Sequence, residues 1–220
     1  MLPVTSMIPV EEARERILAY FSRLEPERKP ILDALGQVLA EDVVAPFDIP
    51  PLDNTAMDGY AVRAADTAGA SEAAPVQLRV IADLAAGYVL DTPVGPGEAV
   101  RIMTGAPVPP GADAIVPFEE TDEALRGINE AARKEGAVCV LKAANPGANI
   151  RRRGEDVRAG STVIPAGRVL RPSEIGVLAS IGLTHVTVIR RPVVAILSTG
   201  DEITPPGEPL LPGRIYDAKY

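Results

Sequence analysis

The sequence is poor in several residue types, and each shortage excludes a class of protein. Among its 220 residues it has one cysteine, Cys139, one histidine and no tryptophan. A single cysteine excludes an internal disulfide and a cysteine-rich metal site, and it fits a reducing compartment. Because Cys139 stands among Val138, Val140 and Leu141, we expect it to be a core residue rather than a reactive thiol.

Long apolar runs and an excess of positive charge are also missing. No stretch approaches the roughly eighteen apolar residues of a membrane-spanning helix, and the N-terminus lacks a secretory pattern. The 22 basic and 30 acidic residues give a net charge of −8, which disfavours nucleic acids and anionic membranes as partners. We therefore expect a cytoplasmic protein.

Aliphatic residues interrupted by glycine and proline dominate what is present. Hydrophobic residues make up 46% of the chain but aromatic residues only 4%, so the core must be packed with Val, Ile, Leu and Ala. The 19 glycines and 22 prolines lie between short apolar segments, which predicts short strands and many turns rather than disorder. The length predicts one to two domains.

Apolar periodicity predicts helices on either side of a strand-rich block. Pro9–Leu24 gathers its apolar residues on one face, which we expect to meet a core or another subunit, and Pro172–Ile181 ends at Gly182. Glu123–Lys134 is a polar surface excursion with some helical character. Residues 46–143 are expected to form a compact β domain, a barrel or sandwich. The predicted strands are Val38–Ala45, Tyr60–Arg63, Val76–Ala82, Ala99–Met103, Ala114–Phe118, Thr162–Ile164, Val186–Ile189 and Val193–Leu197.

The stretch Pro50–Arg63 carries the densest group of polar side chains on a loop. Its Asp53, Asn54, Thr55 and Asp58 fall within six residues behind two prolines. The loop then turns at an Asp-Gly pair into a short strand. Such a group suggests the binding of a cation or a polar ligand, and the alternative is an ordinary turn.

Further polar stretches follow along the chain. Arg101–Pro110 runs from a strand into a loop with Thr-Gly at the bend, and Asn149–Asp156 contains three consecutive arginines. Two interpretations of the arginines stay open: a solvated edge paired with the acidic residues that follow, or an anion site or clamp between subunits. Ser198–Glu202 follows the apolar run Val193–Leu197, which is typical of a parallel strand buried on both faces. Ligands bind at the carboxyl ends of such strands, although a turn with a helix cap is the alternative.

These four stretches, in this order, resemble the molybdopterin molybdenumtransferase family, to which the gephyrin E domain is related. The resemblance covers nearly the whole chain and implies a mixed α/β, multidomain fold. It implies a discontinuous, dimer-forming first domain (residues 1–45 and 144–171), an inserted β domain (46–143) and the start of an α/β molybdopterin-binding domain (172–220). Members of the family continue beyond this point, so we expect the third domain to be incomplete here.

The resemblance also implies an activity: molybdenum from molybdate is inserted into adenylylated molybdopterin, and AMP is released. Its motif positions give the following assignment. The catalytic residues are Asp58, Thr104 and Glu202, the substrate-binding residues are Asp156, Arg151, Asp201 and Gly105, and Mg²⁺ is held by Asp58 and Glu202. A hard cation held by carboxylates would offset the repulsion between an anionic pterin and molybdate.

The expected partners and the competing functions follow from the same resemblance. It implies a homodimer with an active site shared between subunits, and the molybdopterin adenylyltransferase as a further partner. The competing interpretations are a gephyrin-like scaffold or dimerisation module, an inactive fragment, and an enzyme for another phosphorylated metabolite. The joint presence of Asp58, Thr104, Asp156 and Glu202 favours the enzyme, because a scaffold needs none of them.

Overall fold

The computed structural model describes residues 7–126 and 136–218. It divides the chain into two compact units. The outer unit comprises Met1–Glu41 and Pro165–Tyr220, and the inserted unit comprises Asp42–Ile164. Among the described residues, no helix has the length and apolarity needed to cross a bilayer. The three-domain boundaries implied by the resemblance stay a prediction.

The described chain contains many short strands and few helices. The helices are α1 (Val10–Leu18), α2 (Glu123–Arg126) and α3 (Pro172–Ser180), with 3₁₀ turns at Ala64–Thr67 and Phe118–Glu120. The strands are β1 (Pro26–Pro30), β2 (Val43–Val44), β3 (Asn54–Thr55), β4 (Gly59–Val62), β5 (Val76–Leu84), β6 (Glu98–Ile102), β7 (Ala114–Pro117), β8 (Ala137–Val140), β9 (Ile150–Arg151), β10 (Thr162–Ile164), β11 (His185–Ile189), β12 (Ile203–Thr204) and β13 (Ile215–Tyr216).

A five-stranded sheet in the order β7-β4-β6-β5-β8 forms the body of the inserted unit. Its neighbours are antiparallel except for β5 and β6, which are parallel. The sheet curls into a half-barrel, and both of its faces are packed. Alternation of side chains puts Tyr60 and Val62 in one apolar cluster and Ala61 in the other. This confirms the predicted strands β4 to β7, whose apolar runs suit strands covered on both faces.

Cys139 lies on β8, a strand for which the sequence analysis made no prediction. Its side chain is half-buried, and the flanking Val138 and Val140 are fully buried in one of the two apolar clusters. The strand alternates between half-buried and buried positions, so the cysteine lies at the edge of the core rather than inside it.

The outer unit is organised around the antiparallel pair β1–β11. The pairing runs from Pro26 opposite Ile189 to Pro30 opposite His185. Helix α3 buries Leu178 completely. The predicted helix at Pro172–Ile181 and the predicted strand at Val186–Ile189 are both confirmed within one residue.

The first helix is shorter than predicted and its apolar face is uncovered. It ends at Leu18 rather than Leu24, because the chain turns there and runs towards strand β1. None of its residues is buried, and Tyr20 and Phe21, which follow it, are 90% and 72% exposed. Within the described residues this face meets no core, and the alternative expectation, that it meets another subunit, stays a prediction.

Two other predicted elements also differ. Val38–Ala45 is not one strand, because isolated bridges at Val38 and Leu39 pair with other segments before β2 begins. Of the predicted excursion Glu123–Lys134, α2 covers the first turn. The remainder of that segment lies outside the described residues.

The predicted strand Val193–Leu197 is absent from the described structure. Its side chains are solvent-exposed, with Val193 91% and Leu197 83% exposed. A parallel strand buried on both faces needs a neighbour on each side, and the described residues place none beside this run. The parallel pairing that forms nearby is the two-residue pair β12–β13. The expected α/β parallel sheet is thus not confirmed.

Candidate functional site

Asp58 and Thr104 are brought into direct contact by the register of two strands. Strands β4 and β6 are antiparallel, with Gly59 opposite Ile102. The residues just outside these strand ends must therefore meet. The backbone N–H and the hydroxyl of Thr104 each donate to Asp58 Oδ1, and both donor–acceptor distances are 2.7 Å. Two of the three predicted catalytic residues thus form one pair.

These contacts keep the Asp58 carboxylate charged. The backbone N–H of Thr104, then its hydroxyl, lower the pKa of Asp58. Slight burial opposes them, and the positive charge of Arg101 adds to the lowering. Asp58 is exposed, and its second oxygen, Oδ2, makes no hydrogen bond to any described residue. The pair therefore presents one fixed, anionic oxygen to solvent, which is the chemistry of a hard-cation ligand.

Gly59 explains why the carboxylate stands so close to the packed sheet. A Cβ atom at Gly59 would lie 2.1 Å from the carbonyl oxygen of Val116, so glycine alone lets β4 and β7 approach. The N–H of Phe118 donates to the Asp58 carbonyl at 3.2 Å. The Asp-Gly pair therefore fixes the backbone beneath the Asp58 side chain from the neighbouring strand.

Gly105 makes the bend that follows Thr104. Its φ angle is +84°, which glycine adopts without strain. Its N–H donates to Thr55 O at 3.0 Å, and the N–H of Ala106 donates to Met103 O at 2.9 Å. Both groups are engaged within the protein, so any part that Gly105 plays in substrate binding requires either another atom or the opening of its hydrogen bond.

Three of the four polar stretches are joined by backbone hydrogen bonds in the inserted unit. Thr55 N–H donates to Ala106 O, and Ala56 N–H donates to Asn149 O, both at 3.0 Å. Strand β3 pairs with β9, so that Asn54 lies opposite Arg151. The loops that carry Asp58, Thr104 and the arginines therefore form one continuous structure, although about 100 residues of sequence separate them.

Arg151 and Asp156, both predicted to bind substrate, contact each other. The Arg151 guanidinium donates to Asp156 and, at 3.2 Å, to Glu155. The hydrogen bond to Asp156, followed by the one to Glu155, raises the pKa of Arg151. The predicted ion pairs between the arginines and the acidic residues after them are confirmed here. All three side chains are at least 39% exposed.

The other two arginines hold the preceding loop. Arg152 Nη1 lies 2.7 Å from Asp53 Oδ2, and the backbone N–H of Arg153 donates to Asp53 Oδ1 at 2.7 Å. Arg153 Nε donates to Asp48 at 2.5 Å. The N–H of Arg153, then the Arg152 side chain, lower the pKa of Asp53, whereas its slight burial opposes them. These arginines clamp two segments of the same unit, and a clamp between subunits stays a prediction.

Asp201 and Glu202 belong to the outer unit and lie just before β12. Both are exposed. The Glu202 carboxylate folds back over Gly200, where a Cβ atom would lie 2.4 Å from Oε2. The N–H of Ile215 donates to the Glu202 carbonyl at 2.8 Å. Among the described residues, no group of three or more His, Cys, Asp or Glu is arranged around a metal site, so a metal shared by Asp58 and Glu202 stays a prediction.

Two residues beside the site were not singled out from the sequence. Asp48 accepts hydrogen bonds from Ala159 N–H and Arg153, and nothing in its local sequence marks it. Arg101 is the basic residue of β6, and its charge on a strand with buried neighbours was an available signal.

The fold and the site define a mostly β protein with an aspartate–threonine pair at one end of a curled sheet. The chain belongs to the family described as "MoeA N-terminal region (domain I and II)", whose model matches residues 8–182. The match covers both motifs of the Asp58–Thr104 pair and the arginine segment.

Its relatives carry names that agree with this family. "Molybdopterin molybdenumtransferase 2" of Mycobacterium tuberculosis is 45% identical over 208 residues, which are 94% of this chain and 49% of that protein. "Molybdopterin molybdenumtransferase" of Staphylococcus aureus is 39% identical over 211 residues, 96% of this chain and 48% of that protein. The chain spans about half the length of these relatives.

A solved structure shares the fold. The molybdopterin biosynthesis moeA protein of Pyrococcus horikoshii matches with a TM-score of 0.80 and 38% identity over 92% of this chain and 52% of that one. At this identity the likeness extends beyond the fold to the family.

Proposed function

We propose that this chain supplies the N-terminal part of a molybdopterin molybdenumtransferase. The reaction is the insertion of molybdenum from molybdate into adenylylated molybdopterin, with release of AMP. The contact between Asp58 and Thr104 carries the proposal, because it places an ionised carboxylate and its hydroxyl partner together at the end of the sheet. The names of the relatives support the same reaction class.

The charges of the substrates define the task of the site. Phosphates, thiolates and molybdate repel one another, so a carboxylate alone would hinder their approach. Asp58, with Oδ2 turned to solvent, fits one ligand position of Mg²⁺, which is commonly held by one or two carboxylates and by substrate phosphates. We assign Glu202 as the second carboxylate. When bound, the ion would offset the repulsion between the phosphates and the oxyanion.

Thr104 holds Asp58 in place with both of its donors. Its hydroxyl and its N–H both donate to the same oxygen of Asp58. The hydroxyl proton is therefore used in that hydrogen bond, and the lone pairs of the hydroxyl oxygen stay available. Thr104 therefore orients the carboxylate and keeps it ionised, and the hydroxyl can still accept a hydrogen bond from a water or from a substrate group.

Arg151 supplies positive charge on β9, opposite Asn54 of β3. We assign it to an anionic part of the substrate, with Asp156 and Glu155 holding the guanidinium between turnovers. The exposure of Arg151, 39% of its side chain, supports this assignment, because a ligand can approach it without disturbing a core. We also assign Asp201 and Gly105 to substrate binding.

The protein is proposed to act as a cytoplasmic homodimer that receives its substrate from the molybdopterin adenylyltransferase. The exposed apolar residues on and after α1 support the dimer. An apolar helix face of this kind is typical of a subunit interface.

Molybdate-dependent release of AMP from adenylylated molybdopterin, assayed with the full-length protein whose N-terminal part this chain is proposed to supply, tests the function. We expect Asp58→Asn to lower kcat by about a hundredfold, a loss typical of removing one charged group from a preorganised site. Asp91→Asn is the matched control, because Asp91 is an exposed aspartate elsewhere in the inserted unit. Wild-type activity in Asp58→Asn would contradict the enzyme and favour the scaffold interpretation.

A further inference from the structure

A partly buried charged group lies on the sheet below the site. The Arg101 guanidinium donates to Glu123 through Nη2, at 2.8 Å from Oε1, and through Nε, at 3.4 Å from Oε2. The hydroxyl of Tyr60 donates to Glu123 Oε2 at 2.5 Å. The side chains of Arg101 and Glu123 are 19% and 26% exposed. We call Tyr60, Arg101 and Glu123 the lock.

An aromatic ring joins the lock to the backbone of Asp58. The guanidinium carbon of Arg101 lies 4.4 Å from the centre of the Phe118 ring, a cation–π contact. The ring of Tyr60 meets Phe118 edge to face, with centres 5.6 Å apart. Phe118 in turn donates its N–H to the Asp58 carbonyl. A change in the lock therefore reaches Asp58 through a chain of direct contacts.

The lock touches every segment that carries the aspartate–threonine pair. Tyr60 lies directly opposite Arg101 in the β4–β6 register. Asp58 lies in the bend directly before β4, two positions before Tyr60. Thr104 follows Arg101 by three residues, just beyond the end of β6. The lock thus joins β4 to β6 at the point where both leave the sheet.

Partly burying two charges is costly unless good geometry compensates for it. Apolar residues would fill the same face, as Val62 and Ala99 do one step further into the sheet. Arg101 stands instead near the end of β6, three residues before Thr104, and Glu123 reaches it from α2. Their location favours a role in setting the geometry of that pair over a role in stabilising the sheet.

We propose that Tyr60, Arg101 and Glu123 are positioning residues that hold Asp58 against the two donors of Thr104. The lock fixes the separation of β4 and β6 below the pair, and it places one positive charge on the Asp58 side. The inference rests on the proposed function for its catalytic meaning, but the geometry of the pair can be measured without turnover.

The test is the rate at which the Thr104 backbone N–H exchanges with solvent, measured by NMR in the chain labelled with nitrogen-15 threonine, with Thr104→Ser used to assign the signal. Tyr60→Phe removes one hydrogen bond of the lock without changing any charge. We expect it to raise the exchange rate, because the N–H is held less well against Asp58. Arg101→Met is expected to produce a larger rise, since it removes both hydrogen bonds from Arg101 to Glu123.

Arg79→Met is the matched control. Arg79 lies on the neighbouring strand β5 and pairs with Glu98, so its replacement changes the charge by the same amount outside the lock. The exchange rate of the Thr104 N–H is expected to stay at its wild-type value in this variant. If Arg101→Met fails to fold, Arg101→Lys replaces it: the charge remains but the two-pronged contact with Glu123 is lost, and faster exchange is again expected.

An unchanged Thr104 exchange rate in both Tyr60→Phe and the Arg101 variant would overturn the lock, with or without activity. Faster exchange in both supports it. If exchange becomes faster but the full-length wild-type protein releases no AMP, the lock stands and the proposed function fails. If both hold, we expect the lock variants to lower kcat by ten- to a hundredfold, as small misplacements of reacting groups do.

Discussion

Gly59 lies so close to strand β7 that a methyl group added at its Cα would overlap the backbone of that strand. We expect Gly59→Ala to destabilise the protein by about 1–3 kcal/mol, the usual cost of overpacking, because the obstacle is the backbone carbonyl of Val116 rather than a movable side chain. The free energy of unfolding in urea measures the loss.

Gly176→Ala provides the control with the opposite sign. Gly176 lies within α3, and a Cβ there would meet nothing within 4 Å. Alanine is the better helix former by about 0.5–1 kcal/mol, so this variant is expected to gain stability. Equal effects of the two substitutions would contradict the close approach of β4 and β7.

The contacts of Asp53 predict how the free energy of unfolding changes at acid pH. Its pKa is lowered in the folded protein, first by the N–H of Arg153 and then by the Arg152 side chain, so folding favours the charged form. The stabilisation is therefore fully present above the ordinary aspartate value of 3.8 and is lost as the pH falls through the lower, folded value. Unfolding free energies between about pH 6 and pH 2 should fall less steeply for Asp53→Asn than for wild type.

Asp91→Asn removes an exposed carboxylate of the same unit, and the slope of Asp53→Asn is compared with the slope of this variant. If the slope of unfolding free energy against pH is the same in Asp53→Asn as in wild type, the contacts of Asp53 with Arg152 and Arg153 do not contribute to stability.

The site residues show which features of the site local sequence patterns can predict and which they cannot. Asp58 and Thr104 stood out because polar side chains gathered at strand ends, but only the register of β4 and β6 shows that they touch. Asp48 and Glu123 could not be found, because each depends on a partner far along the chain. Local polarity marks a candidate residue, whereas its partner is fixed by strand pairing.

At the scale of elements, helix α3 has one fully buried side chain. Leu178 is its fully buried residue, whereas Val177 beside it is 37% exposed. We expect Leu178→Ala to cost about 2–5 kcal/mol in unfolding free energy through lost burial and the cavity left behind. Val177→Ala should stay within about 0.5 kcal/mol. Similar losses in both variants would contradict the packing of α3 through Leu178.

The elements that the sequence predicted well are those that local pattern determines. Strands β4 to β7 are short apolar runs between turns, and α3 starts at a proline and is followed by a glycine two residues beyond its end. Strand β1 was missed because Pro26 and Pro30 are typical helix breakers, yet proline also suits the ends of an edge strand. Val193–Leu197 was wrongly expected as a strand because its apolarity says nothing about whether neighbours are present to pair with it.

At the scale of the whole molecule, the uncovered apolar residues around α1 predict self-association. We expect a homodimer in sedimentation experiments, and we expect Phe21→Glu combined with Ile17→Glu to shift it towards a monomer with unchanged circular dichroism. Both side chains are more than half exposed, so the folded chain tolerates a charge there. Buried apolar area is the driving force that the two glutamates would remove.

Arg14→Glu, a charge change at an exposed position of the same helix, should leave the dimer intact. A strictly monomeric wild-type protein would exclude an active site shared between subunits.

The pairing of β1 with β11 sets an order of events during synthesis. Strand β1 leaves the ribosome early, but its partner follows only after the whole of the inserted unit has emerged. The inserted unit holds all the strands of its own sheet and can complete that sheet first, as domains generally fold in units. Strand β1 is therefore among the last strands of the described chain to pair, and until β11 emerges the nascent chain carries it unpaired.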